Sequence, residues 1–576
     1  MYTSIQRIWA AEPERIEAAV RDYPGAFRDG ILLATFAGLR IGPRAVRDFR
    51  VQKAFVERLK ARGVDVQIGV SSTIGHSDDW TRRNPFPKMV GEDGAVAKAI
   101  ACPRSRAFAR HLRAVFARYA RLGPSVLWLD DDFRLPHHPP LAFGCFCPDC
   151  LARFAAETGV ALPREALVRE ICAGGRFRGR SVRRAWRDFG SRALTELVGE
   201  IADAVHAVDD RIGLGFMACN GPVLVAAPPD FQAWIERARN RDGAVWFRHG
   251  SGAYDDREPY GADGLVAKNV AIAQACAATE GPGVTNLTEE VTVPYCRRGK
   301  SLRMTFLEAA LNIGLAGADG ATYDAIKPNL VEQLAPGGVV PMLHARRPEL
   351  DRMRALVEGG RQLGVFPEAD PGGWGSSAPV VSLADLGSRG NADWLPLLYL
   401  GIPFSFRKAD ACARLPRRVW RENDIWGLDA GRAVKDGLDR LCGGRLPARA
   451  DTAVRLALSL WERPGGAERV AFLFNLDFDD ADDVRLRLDR RYSASLLLPG
   501  GDWLPLRSGD DIALPSLPAW APAVVRLRRL RGNDRAPTFP GLKRTPAFGR
   551  IAGHERNLDR SARRRDERRR RISPRP

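Results

Sequence analysis

The sequence lacks long apolar runs. None approaches the ~20 residues that a membrane-spanning helix needs, so we expect no membrane partner. Its start, MYTSIQRIWAAEPERIEAAV, has no basic segment, apolar core or cleavage site of a secretory signal, and we expect a cytoplasmic protein. With 45% hydrophobic residues, the 576-residue chain is typical of a globular protein of three or four domains.

Lysine is scarce, at 10 of the 88 basic residues, and such an arginine bias is typical of genome base composition rather than of a phosphate-binding face. The formal charge of +19 is also unevenly placed. From Arg531 to Pro576, 15 basic and 5 acidic residues give +10, which leaves +9 for the preceding 530 residues. We predict a disordered, solvated Arg-rich tail over 531–576 and no nucleic-acid partner. The alternative is sequence-independent binding of RNA or DNA by this tail.

The ten cysteines are few for the length and mostly scattered singly, which excludes a disulfide framework in a reducing compartment. Only Cys145, Cys147 and Cys150 cluster, as C-x-C-x2-C. Three thiolates so close predict a zinc ion that needs a fourth ligand. His137 and His138 lie nearby, but their loop provides no evident fixed geometry.

Strand-like and helix-like segments alternate over the first ~330 residues. We predict eight strands, at 4–9, 31–37, 64–72, 125–132, 212–218, 244–250, 283–290 and 320–326. This alternation predicts a (β/α)8 TIM barrel, with a doubly wound sheet as the alternative.

Two further domains are predicted after the barrel, which we place at 1–340. Residues 341–447 have mixed α/β patterning, and residues 448–530 contain alternating strand-like runs typical of a small antiparallel, sandwich-like β domain. The fold class is therefore α/β: a TIM barrel, an α/β domain, a small β domain and the basic tail.

Polar residues recur where predicted barrel strands end, which is where barrels place their active sites. From this position alone we predict His76, Asn220, His249 and Tyr323 as pocket residues. In the fourth strand, period-two alternation directs Trp128, Asp130 and Asp132 into the barrel and Leu127, Leu129 and Asp131 away from it.

Three motifs, ACPRSRAF, LWLDDDFR and CFCPDCLARF, resemble glycoside hydrolase family 42, the microbial β-galactosidases, and related barrels of the same clan. The resemblance implies a closed structural zinc site formed by Cys102, Cys145, Cys147 and Cys150. It also implies that Asp132 is the general acid/base, where the family has Glu. Asp131 stands where the family has the Asn that binds the sugar 2-hydroxyl. Both aspartates depart from the family pattern.

The segment TNLTEEVTVPYCRRGKSLRMTF resembles the seventh-strand region of the same clan, which carries the nucleophilic Glu. The spacing from Pro294–Tyr295 implies Glu289. Strand alternation indicates Glu290 instead if Leu287 faces the helices. We rank Glu289 first, because strand ends often bulge.

The resemblance implies a retaining glycoside hydrolase, with a β-galactosidase-like exo-glycosidase as the finer expectation. Such a mechanism places its carboxyl groups about 5–5.5 Å apart, against ~6.5–9.5 Å in an inverting enzyme. A catalytically degenerate carbohydrate-binding barrel is the main alternative. Family 42 enzymes are often trimers, so a homotrimer is implied by resemblance only.

Overall fold

The computed structural model describes most of residues 1–530 and none of the predicted tail. The described residues are 2–8, 13–35, 37–78, 83–136, 141, 143–219, 230–250, 260, 264–291, 300–326, 337–367, 381, 383, 395–415, 428–444 and 446–530. Residues 531–576 therefore lie outside the described part of the chain.

Eight parallel strands form a closed barrel, which confirms the predicted fold class. The first twelve strands are β1 Tyr2–Ile8, β2 Ile31–Thr35, β3 Val66–Val70, β4 Lys88–Val90, β5 Val96–Ala101, β6 Val126–Leu129, β7 Arg176–Phe177, β8 Arg180–Ser181, β9 Gly213–Cys219, β10 Val245–Gly250, β11 Val284–Val291 and β12 Gly320–Ile326. In the barrel the order is β1-β12-β11-β10-β9-β6-β3-β2, and β1 pairs with both β12 and β2. All eight predicted strands coincide with barrel strands. The pairs β4–β5 and β7–β8 are separate small sheets.

The barrel interior is apolar and tightly filled. Trp128 packs there with Leu32, Met217 and Leu287, while Leu127 and Leu129 belong to the cluster on the helix side. Gly215 faces the Trp128 ring, and a Cβ at this position would lie 2.3 Å from a ring carbon. The strand alternation predicted for β6 therefore holds as far as Leu129.

Eleven α-helices occur in the described residues, most of them following barrel strands. They are α1 Pro13–Asp22, α2 Gly42–Lys60, α3 Arg106–Ala120, α4 Pro148–Thr158, α5 Arg164–Ala173, α6 Val182–His206, α7 Phe231–Ala238, α8 Leu265–Thr279, α9 Leu302–Gly314, α10 Val339–Val357 and α11 Leu428–Leu441. A 3₁₀ helix spans Leu395–Tyr399. None of the helices in the described residues is long and apolar enough to cross a membrane.

A second, mixed sheet follows the barrel. Its strands are β13 Arg361–Pro367, β14 Leu400–Pro403, β15 Ala411–Leu415, β16 Ala448–Asp451, β17 Leu456–Glu462, β18 Glu468–Asn475, β19 Arg485–Leu497, β20 Leu504–Ala513 and β21 Ala521–Arg529. The main path runs β15-β13-β17-β18-β21-β19-β16. Strands from both predicted post-barrel domains thus share one sheet, and the boundaries at 340 and 447 stay predictions.

This sheet packs directly on the barrel helices. The Trp461 indole N–H of β17 donates to the Gly314 carbonyl at the end of α9, 2.6 Å away. Gly314 also faces the Phe472 ring of β18, at a distance that leaves no room for a Cβ. The second sheet therefore supports the helix that follows β11.

Candidate active site at the barrel mouth

Strand β6 ends at Leu129, and the three aspartates that follow lie in a turn rather than in the strand. Asp132 is fully buried. One carboxylate oxygen accepts the Thr73 N–H (2.9 Å), and the other accepts those of Ile74 (3.0 Å) and Gly75. Burial and the neighbouring Asp130 raise the pKa of Asp132 to about 7, against the opposing effect of the Gly75 N–H. Asp132 therefore ties the segment after β3 to the end of β6.

Asp131 and His76 form a close pair, and 27% of the Asp131 side chain is exposed. His76 Nε2 lies 2.8 Å from an Asp131 carboxylate oxygen, and its Nδ1 lies 3.7 Å from Asp130. Burial lowers the pKa of His76, but Asp131 and its two neighbouring aspartates outweigh it and raise this pKa to about 10. Burial acts to raise the pKa of Asp131, yet His76 holds it below its usual value. At neutral pH the pair is an imidazolium and a carboxylate.

Glu289 lies at the end of β11 and pairs with Arg248 of β10. The guanidinium Nη2 donates to Glu289 Oε1 at 2.8 Å, and the two side chains are 4% and 13% exposed. Carboxylates outweigh burial and raise the pKa of Arg248, and Glu289 is the largest of them, followed by Asp131, Asp130 and Asp324. Gly250, at the end of β10, lies beneath Glu289, and a Cβ there would be 2.4 Å from Glu289 Oε2. This arrangement holds the Glu289 side chain in a fixed position.

Glu290 lies on the opposite side of β11. Strand alternation would direct Glu290 inward only if Leu287 faced the helices. Leu287 lies inside the barrel, so alternation directs Glu290 toward the helices. Glu290 is fully buried, accepts a hydrogen bond from Asn312 and lies 3.3 Å from Lys300 Nζ. It therefore belongs to the helix layer.

The predicted pocket residues also lie on different sides of the barrel wall. His76 lies beside Asp131, whereas His249 and Tyr323 are fully buried on the helix side of their strands. His249 Nε2 lies 2.9 Å from Asn286 Oδ1 and 3.2 Å from Thr279 Oγ1, and burial lowers its pKa to about 4. Strand alternation turns both side chains away from the mouth, and their role in the pocket stays a prediction. Asn220 lies outside the described residues, as do 137–140 and 292–299.

Two mouth residues, Arg248 and Arg134, were not predicted, and neither was Trp234, which is buried in the helix-side cluster. Arg134 Nη1 lies 3.8 Å from Asp131, and both line a hollow walled by Phe133, Phe216, Phe231 and Trp234. Period-two alternation applied to VWFRHG indicates an inward Arg248, since Trp246 packs on the barrel interior. Nothing local to the sequence indicates Trp234, which reaches the hollow from α7.

The four predicted metal-ligating cysteines converge outside the barrel mouth. Cys102 follows β5, Cys145 and Cys147 precede α4, and Cys150 lies in its first turn. Their sulfurs all lie within 4.8 Å of one another, and Cys102 Sγ is 3.7 Å from Cys150 Sγ and 3.9 Å from Cys147 Sγ. A tetrahedron with Zn–S bonds of ~2.3 Å has edges of about 3.8 Å, so this donor set fits zinc.

No protein-family model and no curated protein matches the chain. Solved structures share its fold. A β-galactosidase from Bacillus circulans sp. alkalophilus is 11% identical with a TM-score of 0.58, covering 92% of this chain and 99% of that one. The α-L-fucosidase isoenzyme 2 from Paenibacillus thiaminolyticus is 12% identical with a TM-score of 0.57, covering 92% of this chain and 100% of that one. The cold-adapted β-galactosidase from Rahnella sp. R3 is 12% identical with a TM-score of 0.55, covering 92% of this chain and 99% of that one. At 11–12% identity this likeness is one of fold.

Proposed function

We propose that the protein is a retaining glycoside hydrolase whose nucleophile is Glu289. The observation that carries the proposal is the ion pair of Glu289 with Arg248 at the end of a barrel strand, where TIM-barrel enzymes place their catalytic groups. Structures with this fold include β-galactosidases and a fucosidase, which supports a glycoside as substrate. Glu290 is the weaker candidate for the nucleophile because it faces away from the mouth. Its carboxylate lies beside Lys300 and accepts a hydrogen bond from Asn312.

For the acid/base, the geometry favours Asp131 over Asp132. Both oxygens of Asp132 are occupied by backbone N–H groups, and no part of the residue is exposed. The raised pKa of Asp132 suits a general acid, but its enclosure separates it from a substrate. Asp131 is partly exposed, and His76 at 2.8 Å holds a proton beside it. Asp132 remains the alternative by resemblance.

In the proposed reaction, Asp131 receives the proton held on His76 and passes it to the glycosidic oxygen as that bond breaks. Glu289 attacks the anomeric carbon and forms a glycosyl-enzyme ester. Asp131 then removes a proton from water, which attacks the same carbon and releases Glu289, and Asp131 returns this proton to His76. Arg248 holds the Glu289 carboxylate in position before the attack and pairs with it again afterwards.

We further propose a structural zinc ion held by Cys102, Cys145, Cys147 and Cys150. Four thiolates leave no open coordination position, so the metal would brace the segments after β5 and β6 and take no part in the reaction. Metal analysis of the purified protein should find one zinc ion per chain. The variant Cys150→Ser should contain no zinc. A β-galactosidase-like exo specificity and a homotrimer are the finer proposals, and they rest on resemblance.

The test is a panel of aryl glycosides with good and poor leaving groups. We expect Glu289→Gln to lose activity on every substrate that the wild type hydrolyses. Asp131→Asn should lose it mainly on poor leaving groups, which need protonation, and added azide should restore turnover of the good ones. If Asp132→Asn shows that pattern instead, Asp132 is the acid/base. If the wild type binds glycosides and hydrolyses none, the binding-barrel alternative holds.

A further inference from the structure

Cys412 and Cys442 lie side by side in the second sheet region, far apart in sequence. Cys412 is exposed on β15, and Cys442 is buried directly after α11. Their sulfurs are 3.0 Å apart, about 1 Å longer than the ~2.05 Å of a disulfide bond. In the sequence both cysteines stand singly, outside any cysteine motif. The fold thus places the two sulfurs so that a small side-chain movement would let them form a disulfide bond.

We propose that Cys412 and Cys442 are a thiol–disulfide exchange site that takes low-molecular-weight disulfides such as oxidised glutathione. The Cys412 thiolate attacks one sulfur of the small disulfide, forming a mixed disulfide and releasing one thiolate. Cys442 loses its proton, and its sulfur attacks Cys412 Sγ, which expels the second thiolate. Two protein thiols are oxidised and one small disulfide is reduced to two thiols.

The two cysteines differ in solvent exposure and in pKa as the two exchange steps require. Cys412 is reachable from solvent, whereas Cys442 is 7% exposed and faces Cys412. The hydrogen bond from Cys442 lowers the pKa of Cys412, while Cys412 and burial raise that of Cys442. Exchange rates depend on thiolate fraction and access, so Cys412 is the attacking residue and Cys442 the resolving one.

The bond would fasten the edge of the second sheet. In the main strand path β15 lies at one end, next to β13. The two cysteines are 30 positions apart, and closing a segment of that length restricts the unfolded chain far more than the folded one. Oxidation should therefore raise the melting temperature, and reduction should lower it again.

The experiment treats the full-length, metal-loaded chain with excess oxidised glutathione and then blocks free thiols with N-ethylmaleimide. Peptide mapping should find one cross-linked pair, Cys412–Cys442, and an intact mass lower by two hydrogen atoms before alkylation. Cys442→Ser should stop at a stable glutathione adduct on Cys412, and Cys412→Ser should form neither adduct nor cross-link. Reductant should return the wild type to two free thiols at these positions.

The double variant Cys412→Ser/Cys442→Ser is the matched control, because it keeps the four-cysteine cluster. Oxidation should raise the melting temperature of the wild type by several degrees and leave that of the double variant unchanged. Zinc content, measured before and after, separates this effect from damage to the metal site. Alkylation of both Cys412 and Cys442 after glutathione treatment of the folded wild type would overturn the proposal, as would equal temperature shifts in both proteins.

Discussion

Glu289 and Glu290 are adjacent in sequence and identical in chemistry, yet they lie in different surroundings. Glu289 faces the barrel mouth and pairs with Arg248, whose guanidinium lies 2.8 Å from its Oε1. Glu290 faces the helices, in a closed network with Lys300, Glu308 and Asn312. The comparison teaches that side-chain direction along a strand, and not residue type, separates a carboxylate available for chemistry from one that holds the fold.

The buried network joins two lysines and two glutamates. Lys268 and Lys300 both contact Glu308, and Lys300 also contacts Glu290, with all four side chains at most 1% exposed. Burial and the neighbouring Glu308 raise the pKa of Glu290, while the two lysines outweigh burial and lower that of Glu308 to about 2. Such a network tolerates the loss of any one charge poorly. It fixes the end of β11 and the start of α9, and so the backbone from which Glu289 extends.

The largest expected effect comes from replacing the two glutamates one at a time. If Glu289 is the nucleophile, Glu289→Gln should lower kcat by at least about a thousandfold, because no covalent intermediate forms. Glu290→Gln should keep kcat within about tenfold, since the amide resembles the neutral form that burial favours. Rates on an activated aryl glycoside provide the measurement. Equal losses in both variants would remove the distinction between the two sides of the strand.

Lysine substitutions test the other half of the comparison. Lys300→Met should lower the free energy of unfolding by about 3–5 kcal/mol, because it removes the buried cation that Glu290 and Glu308 share. The matched control is Lys53→Met, which removes an exposed i,i+4 partner of Glu57 at 3.7 Å and should change stability by less than about 0.5 kcal/mol. Urea unfolding of both variants measures the difference. Similar losses would mean that the network contributes no more than a surface pair.

Gly250 tests the positioning of Glu289. In Gly250→Ala the new Cβ would meet Glu289 Oε2 at 2.4 Å, so the carboxylate must leave Arg248. We expect kcat to fall by about 10–100-fold, with a stability loss of about 1–2 kcal/mol. Gly437→Ala is the control, since its nearest neighbour would be 3.9 Å away at the flexible Arg440. An unchanged kcat in Gly250→Ala would indicate that the ion pair is unimportant for turnover.

The smallest expected effect concerns pH. The folded-state pKa of His76, about 10, lies above its usual 6.5. Its stabilising contribution is therefore complete below pH 6.5 and is lost as pH rises through about 10. His76→Asn should flatten the fall in unfolding free energy over that range by about 1 kcal/mol, a modest value because solvent reaches part of the pair. In the wild type Asp132, with its pKa raised to about 7, makes stability fall mainly between pH 3.8 and 7, so the effect of His76 is measured above pH 7.5.

Much of the barrel was predictable because its information is local. Short apolar runs separated by amphipathic helices indicate the eight strands, and each predicted run contains or overlaps a barrel strand. Alternation correctly placed Trp128 inside and Leu127 outside. The same rule failed one step later at Asp131 and Asp132, because β6 ends at Leu129 and the chain turns. Applied to β10, the same rule directs Arg248 inward and His249 toward the helices, since Trp246 packs on the barrel interior.

The sequence by itself determined the alternation of strands and helices, the positions of the acidic strand ends and the spacing of the cysteine motif. These follow from residue order, since periodicity and spacing are properties of neighbours in the chain. The tertiary structure alone decided that Asp132 is enclosed by backbone N–H groups from 57–59 positions away, and that Cys412 faces Cys442. Burial, pKa and partners depend on residues brought close only by folding, and for that reason two adjacent glutamates acquire different roles.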